Sequence, residues 1–244
     1  MTLKEYCSEI ESFLKQYLAD NHQDMYVLGL SGGVDSSLMA AIAKKAVGKD
    51  KLMCIMMPIE SNEADLKDGI KVAEALDVNY LVLDASKAYN ELKQLFIISN
   101  EELDISTLSN LKVRMRMSML YAYAQKHHAL VLGTDNMDER YVGYFTKYGD
   151  GAADVLPIVY LTKAEVREAA EIYGVSKALA LRVPSAGLFE GQTDEGEMGV
   201  SYADLDAFLL GKEIAPEAKA KIEHMHAVSE HKRVDIPTPA PFKR

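Results

Sequence analysis

The sequence predicts an α/β fold in which a parallel β-sheet carries helices on both faces. Three observations lead there: short runs rich in Val, Ile and Leu recur along the chain, turn residues bound each run, and helical patterns fall between the runs. Parallel neighbours need a crossover connection, so strand and helix alternate, and a sheet covered on both sides makes its strands apolar throughout.

The elements follow in order. The segment Met1–Leu28 holds one helix and the start of the first strand, "MYVLGLS". Next come the helical "DSSLMAAIAKKAVG" closed by Gly48, the strand "KLMCIMMP", the helical "NEADLKDGIKVAEALDV" and the strand "YLVLDA". A long helix over Ser106–Lys126 leads to the last strand, "HALVLGT". Ligands of such sheets bind at the carboxyl ends of the strands, which puts the loops after Leu30, Pro58, Ala85 and Thr134 on one functional edge. Residues 1–236 are expected to form a single domain, and "PTPAPFKR", residues 237–244, a flexible tail.

At about 100° per residue the long helix has two apolar faces. Leu108, Leu111, Met115, Met119 and Ala122 form one; Val113, Met117, Leu120 and Ala124 form the other. One can pack on the sheet, and the other needs a second layer. A two-fold partner is the expected one, hence a homodimer, with a helix sandwiched inside one subunit as the alternative. Arg114, Ser118, Tyr121 and Gln125 share the flank between the faces.

Composition excludes several classes. A formal net charge of -10 opposes general nucleic-acid binding, which needs a basic surface. The charged start "MTLKEYCSEIESF" is unlike a signal peptide, and no apolar run is long enough to span a membrane. The two cysteines, Cys7 and Cys54, have neither zinc-ribbon nor disulfide-framework spacing, so a cytoplasmic protein is expected.

The stretch "LGLSGGVDSS", Leu28–Ser37, joins the first strand to a helix. Glycines there let backbone N–H groups approach phosphate oxygens, and the helix N-terminus adds partial positive charge. The pattern is neither Walker A nor the dinucleotide fingerprint. Taken alone, it could also be a helix cap in which Asp35 or Ser36 satisfies free N–H groups. With the whole "SGGVDSS" in view, it resembles the loop of the ATP pyrophosphatase superfamily, which cleaves ATP between its α and β phosphates. A carboxylate among phosphates is repulsive without a metal and useful with one.

Further on, "VLGTDNMDERYVGYFTKYGDGAADVLPIVYLTKAEVREAAEIYGV" and "VPSAGLFEGQTDEGEMGVSYADLD" resemble the NAD synthetase family, with matching motifs from Gly29 to Lys232. The resemblance implies a Rossmann-like, adenine nucleotide α-hydrolase-like sheet. It implies ATP-dependent amidation of deamido-NAD by ammonia through an adenylated carboxylate, giving NAD, AMP and pyrophosphate. It places ATP on Gly29, Leu30, Ser31, Gly32, Gly33, Val34, Asp35 and Ser36, and on Thr134, Lys163 and Ser185. Mg²⁺ would lie on Asp35 and Glu139, and deamido-NAD on Arg114, Lys147, Asp154, His231 and Lys232. Asp35, Glu139 and Asp154 carry the implied catalytic roles, Asp154 by assisting the amine.

Without the resemblance, "DNMDER" is also readable as a solvated acidic turn, Lys147 and Asp154 as halves of surface ion pairs, and His231 with Lys232 as a basic helix end. Lys163 opens a helix, where a cation opposes the dipole, and that favours a functional reason for it. The chain departs from the family in the acidic "PIESNEAD" after the second strand, in the alanines of "DGAAD" and in Ser185. A tRNA-modifying ATP pyrophosphatase and a non-enzymatic nucleotide-binding module remain as rival readings. The acidic charge opposes the first, and the second would not need Glu139, Lys147 or Asp154.

Overall fold

The computed structural model describes residues 1–61, 63–176 and 193–243. The alternation is realised as α1 (Leu3–Asp20), β1 (Met25–Gly29), α2 (Val34–Val47), β2 (Leu52–Met56), α3 (Glu63–Ala75) and β3 (Asn79–Val82), then α4 (Ser86–Ile98), α5 (Ile105–Lys126) and β4 (Ala129–Leu132). After β4 come α6 (Met137–Val142), α7 (Lys163–Ile172), α8 (Asp194–Met198), α9 (Tyr202–Leu209) and α10 (Pro216–Val228).

Local chemistry sets the first helices. Thr2 and Glu5 close a capping box on α1, and Cys7, Ile10, Leu14 and Leu18 bury one stripe of it at helical spacing. The Tyr26 hydroxyl donates to the Leu14 carbonyl at 2.8 Å and ties α1 to β1. In α2 the run from Leu38 to Ala43 is buried all round, as befits a helix between the sheet and two further helices. It ends at Gly48, whose φ of 84° lies in the region glycine adopts without strain.

The sheet is parallel, in the order β3-β2-β1-β4. Alternate residues face opposite layers. Tyr26, Leu28, Cys54, Met56 and Leu132 join the core beneath α1, α2 and α7, whereas Val27, Ile55 and Val131 pack under Leu120 and Ala124 of α5. The chain leaves β1 toward β2 and β3, then returns to place β4 on β1's other side. The crevice between the ends of β1 and β4 is therefore the switch point at which such sheets bind ligands.

Two expectations need correction. β3 is not buried on both faces: at the edge of the sheet, Leu81, Val82 and the following Leu83 are exposed. Nor does α5 leave a whole face for another subunit, because Leu108, Leu111, Met115 and Met119 pack on Ile59, Ala85 and Tyr89 of the same chain. That intrachain layer is thin. Those four residues stay half-buried, and nearby Leu95, Ile97, Ile98 and Ile105 are exposed. Among the described residues no helix is long and apolar enough to cross a membrane.

Candidate active site

The loop after β1 is held open by its own side chains. Ser31 and Ser36 hydroxyls lie 3.1 Å apart, Gly33 N–H donates to Ser31 Oγ at 3.2 Å, and Ser37 Oγ donates to the Gly33 carbonyl at 2.7 Å. Gly32 adopts a φ of 81°, which the tight turn requires. The N-cap of α2 is Gly33, and no side chain caps the helix. The simple capping alternative is thus not what Asp35 does.

Asp35 points across the switch point instead. Its Oδ1 accepts from Asn136 Nδ2 at 2.9 Å and its Oδ2 from Lys163 Nζ at 2.7 Å. The same ammonium donates to Glu139 Oε1 at 3.0 Å. Asn136 is fully buried as the N-cap of α6, and its Oδ1 accepts the Glu139 N–H at 3.0 Å. One amide side chain thereby holds the Asp35 carboxylate through its donor and caps the helix that carries Glu139 through its acceptor.

Lys163 is 2 % exposed. Burial works against its charge, but the Asp35 and Glu139 carboxylates outweigh that and hold its pKa above the ordinary lysine range. Glu139 is pushed up to about 7 by burial, against the opposing pull of Lys163 and with Asp35 adding to the rise. Two carboxylates share one cation, so the cluster is short of positive charge.

The start of α7 explains how a lysine is held there. Thr162 and Glu165 form a capping box, and the Lys163 N–H donates to Asp138 Oδ2 at 2.6 Å and Asp206 Oδ1 at 3.2 Å. These acids answer the helix dipole that the lysine opposes. Asp138 is fully buried, its Oδ1 has no hydrogen-bond partner among the described residues, and burial followed by repulsion from Asp206 pushes its pKa up to about 8. A further layer comes from Tyr202, whose hydroxyl lies 2.9 Å from Glu139 Oε1 and 3.1 Å from Asp194 Oδ2, with its ring under the Lys163 ammonium at 4.7 Å.

A cavity of about 610 Å³ opens above this cluster. It is lined by the β1–α2 loop, by Thr134, Glu139, Lys163 and Lys232, and by apolar Met57, Pro58 and Leu66 on the β2 side. Gly133 lets the wall close, since a Cβ there would lie 2.5 Å from Leu156 and 2.7 Å from Ala153.

The residues expected to hold the dinucleotide gather beside the cavity. Arg114 Nε donates to the Lys147 carbonyl at 3.3 Å, Lys147 Nζ to the His231 carbonyl at 2.5 Å, and Lys232 Nζ to the carbonyls of Gly143 and Phe145, each at 2.7 Å. His231 enters this chain through its backbone. Asp154 stands apart from the acid–lysine cluster: it accepts the Val131 N–H at 2.7 Å and the Tyr121 hydroxyl at 3.3 Å on the exposed flank of α5. Its expected part in assisting the amine finds no contact to that cluster. Ser185 lies outside the described residues. Sequence reasoning missed Asn136, Asp138, Tyr202 and Asp206. The first two sit inside the quoted "DNMDER", where an N-cap residue ahead of a short helix was a usable signal; Tyr202 and Asp206 follow the N-cap Ser201 at the end of the other quoted stretch, but nothing there marks the acids and the helix start they meet in space.

The family model described as NAD synthase matches residues 6–236. The NH(3)-dependent NAD(+) synthetase of Mesoplasma florum is 40% identical over 244 residues, covering 100% of both chains. Among solved structures, the NMN synthetase of Francisella tularensis matches with a TM-score of 0.92 and 36% identity, over 98% of this chain and 99% of that one. The NH3-dependent NAD synthetase of Campylobacter jejuni matches with a TM-score of 0.81 and 25% identity, over 99% and 100%. A parallel sheet with its loop, its acids and its lysine gathered at one switch point, together with a family match across nearly the whole length, establishes that the chain belongs to the NAD synthase family.

Proposed function

We propose that the protein makes NAD by amidating deamido-NAD with ammonia at the cost of ATP, releasing AMP and pyrophosphate. The observation that carries this reading is the convergence of Asp35, Glu139 and Lys163 beneath the glycine-rich loop. A carboxylate does not exchange its oxygen for ammonia, because oxide is too poor a leaving group. Attack of the nicotinate carboxylate on the α-phosphorus of ATP gives an acyl-adenylate with a better one, and ammonia then displaces AMP. The chain's work is positioning and electrostatics. N–H groups at the start of α2 face the phosphates, Lys163 supplies charge to them, and Asn136 aims Asp35 while capping the helix that carries Glu139. No enzyme nucleophile is required, and Cys7 and Cys54 are both fully buried with pKa values raised by burial.

Asp35 and Glu139 fit a hard cation such as Mg²⁺, since two oxygen donors already meet around one ammonium, and such an ion completes its shell with phosphates. When bound, it would neutralise charge developing on pyrophosphate. Thr134 and Ser185 complete the proposed ATP contacts. Arg114, Lys147, Asp154, His231 and Lys232 form the proposed dinucleotide side, with Asp154 as an acceptor on the flank of α5.

The protein is further inferred to act in the cytoplasm as a homodimer, residues 1–236 forming its working domain. The exposed apolar side chains of β3, of α4 and of the start of α5, the helix that also carries Arg114, support pairing there. The likeness to the Francisella NMN synthetase favours one second reading, in which the acceptor is the nicotinate mononucleotide.

The test is to incubate the protein with ATP, Mg²⁺ and ammonium, and with the deamido dinucleotide or the mononucleotide in parallel, measuring amidated product, AMP and pyrophosphate. NAD formation dependent on ammonium is expected, and faster turnover of the mononucleotide would replace the first reading by the second. Asp35→Asn and Glu139→Gln should each remove most turnover while leaving the fold intact.

A further inference from the structure

Three cationic side chains line the cavity among the described residues: Arg116, Lys163 and Lys232. Two are already engaged. Lys163 is shared between carboxylates, and Lys232 donates to two backbone carbonyls. Arg116 enters from α5 on the opposite wall, beside the end of β2. Its Nε donates to the Met57 carbonyl at 3.0 Å, and Nη2 makes a long contact of 3.4 Å to Ser61 Oγ. Nη1 has no hydrogen bond among the described residues, and no carboxylate there lies within ion-pair range of the guanidinium. Asp150 acts on it from farther away, while its own Oδ1 accepts the N–H groups of Thr146 and Gly151.

The loop after β2 supplies no cation of its own. Its Glu60 turns toward Lys93 and Lys112, at 3.6 and 3.7 Å, and holds both on that side. The apolar surface of Met57, Pro58 and Leu66 suits a nucleobase, so a nucleotide seated there brings the phosphate attached to its ribose, the α-phosphate, nearest to Arg116. A guanidinium pinned by Nε to a carbonyl keeps its fork oriented and loses little freedom on binding an oxyanion.

We propose that Arg116 is an ATP-binding residue whose guanidinium engages the α-phosphate from the β2 wall of the cavity. The proposal rests on the reading of the cavity as the ATP site and adds a contact that neither the glycine-rich loop nor Lys163 provides. It adds an ATP-side cation from α5, the helix whose other flank carries Arg114. One helix then presents an arginine to each substrate.

Calorimetric titration of AMP and of adenosine into the wild-type protein, Arg116→Gln, Arg116→Lys and Ser61→Ala tests this. Loss of a charge-assisted hydrogen bond should weaken AMP binding to Arg116→Gln by about ten- to a hundredfold. Adenosine binding should be unchanged, Arg116→Lys intermediate, and Ser61→Ala close to wild type for both ligands. Equal losses for AMP and adenosine would show that Arg116 only braces the β2 loop and would overturn the proposal, as would unchanged AMP binding in Arg116→Gln. Wild-type protein that turns over substrate but binds neither ligand in this cavity would overturn the ATP-site reading and this inference together.

Discussion

With its ammonium 2.7 Å from Asp35 and 3.0 Å from Glu139, Lys163 offsets part of the repulsion between two largely buried carboxylates. Removing one partner of a buried pair costs about 3–5 kcal/mol because the other is left uncompensated. Lys163→Met should therefore lower the melting temperature, and millimolar Mg²⁺ should restore more of it than it adds to the wild-type protein; thermal melts with and without the ion decide. Asp138 allows a second test at this scale. Its pKa, pushed up to about 8, lies above that of an unfolded aspartate. The folded protein therefore holds a proton that the unfolded chain releases, and this contribution to stability is largest below pH about 4 and is lost as pH rises to about 8. Asparagine can accept the Lys163 N–H and donate to Asp206 without titrating. Urea denaturation at pH 6 and 8.5 should show wild-type stability falling relative to that of Asp138→Asn.

Elements were more legible than residues. The runs beginning at Met25, Lys51, Tyr80 and His128 each became a strand because β-branched and aliphatic residues between turn signals leave few alternatives. The faces of α5 were legible from periodicity, but what covers them was not, since Tyr89 and Ile59 reach that helix only through the fold. Tyr202 and Asp206 were invisible for the same reason: nothing near them in sequence marks the acids and the helix start they meet in space. The end of β4 carries a prediction of its own. Any side chain at Gly133 would strike Leu156 and Ala153, and overpacking of this kind costs about 1–3 kcal/mol. Gly133→Ala should be destabilised by that amount in urea titration and should lose activity at temperatures where it remains folded, because the adjoining Thr134 shifts with the wall.

For the whole molecule, the acidic balance and the position of the exposed apolar side chains decide how copies meet. Leu95, Ile97 and Ile98 on α4 are 60%, 55% and 76% exposed, and Leu81 and Val82 on the edge strand are 38% and 40% exposed. If this patch pairs two copies, sedimentation at micromolar concentration should report twice 27.0 kDa. Ile98→Glu would then shift the protein toward monomer, because an unpaired charge buried at an apolar contact is costly. Arg114 is exposed on α5, the helix whose Ile105 belongs to the exposed apolar set, so that variant should also weaken dinucleotide binding more than ATP binding. A monomeric wild-type protein with full activity would refute the pairing.

The strand order also governs how the chain is made. Met25 pairs with Ala129 and Leu28 with Leu132, so β1, the centre of the sheet, receives its second neighbour only after the whole stretch through α5 has been synthesised. Until then a nascent chain carries the glycine-rich loop beside a bare strand edge, with Asp35 present and Asn136, Glu139 and Lys163 still to emerge from the ribosome. Such an edge is a template for pairing with other chains, and parallel contacts between distant segments form slowly. Chaperone demand should therefore be greatest before β4 emerges, near the middle of translation, and fall once β4 docks, the step that lets the two acids come face to face.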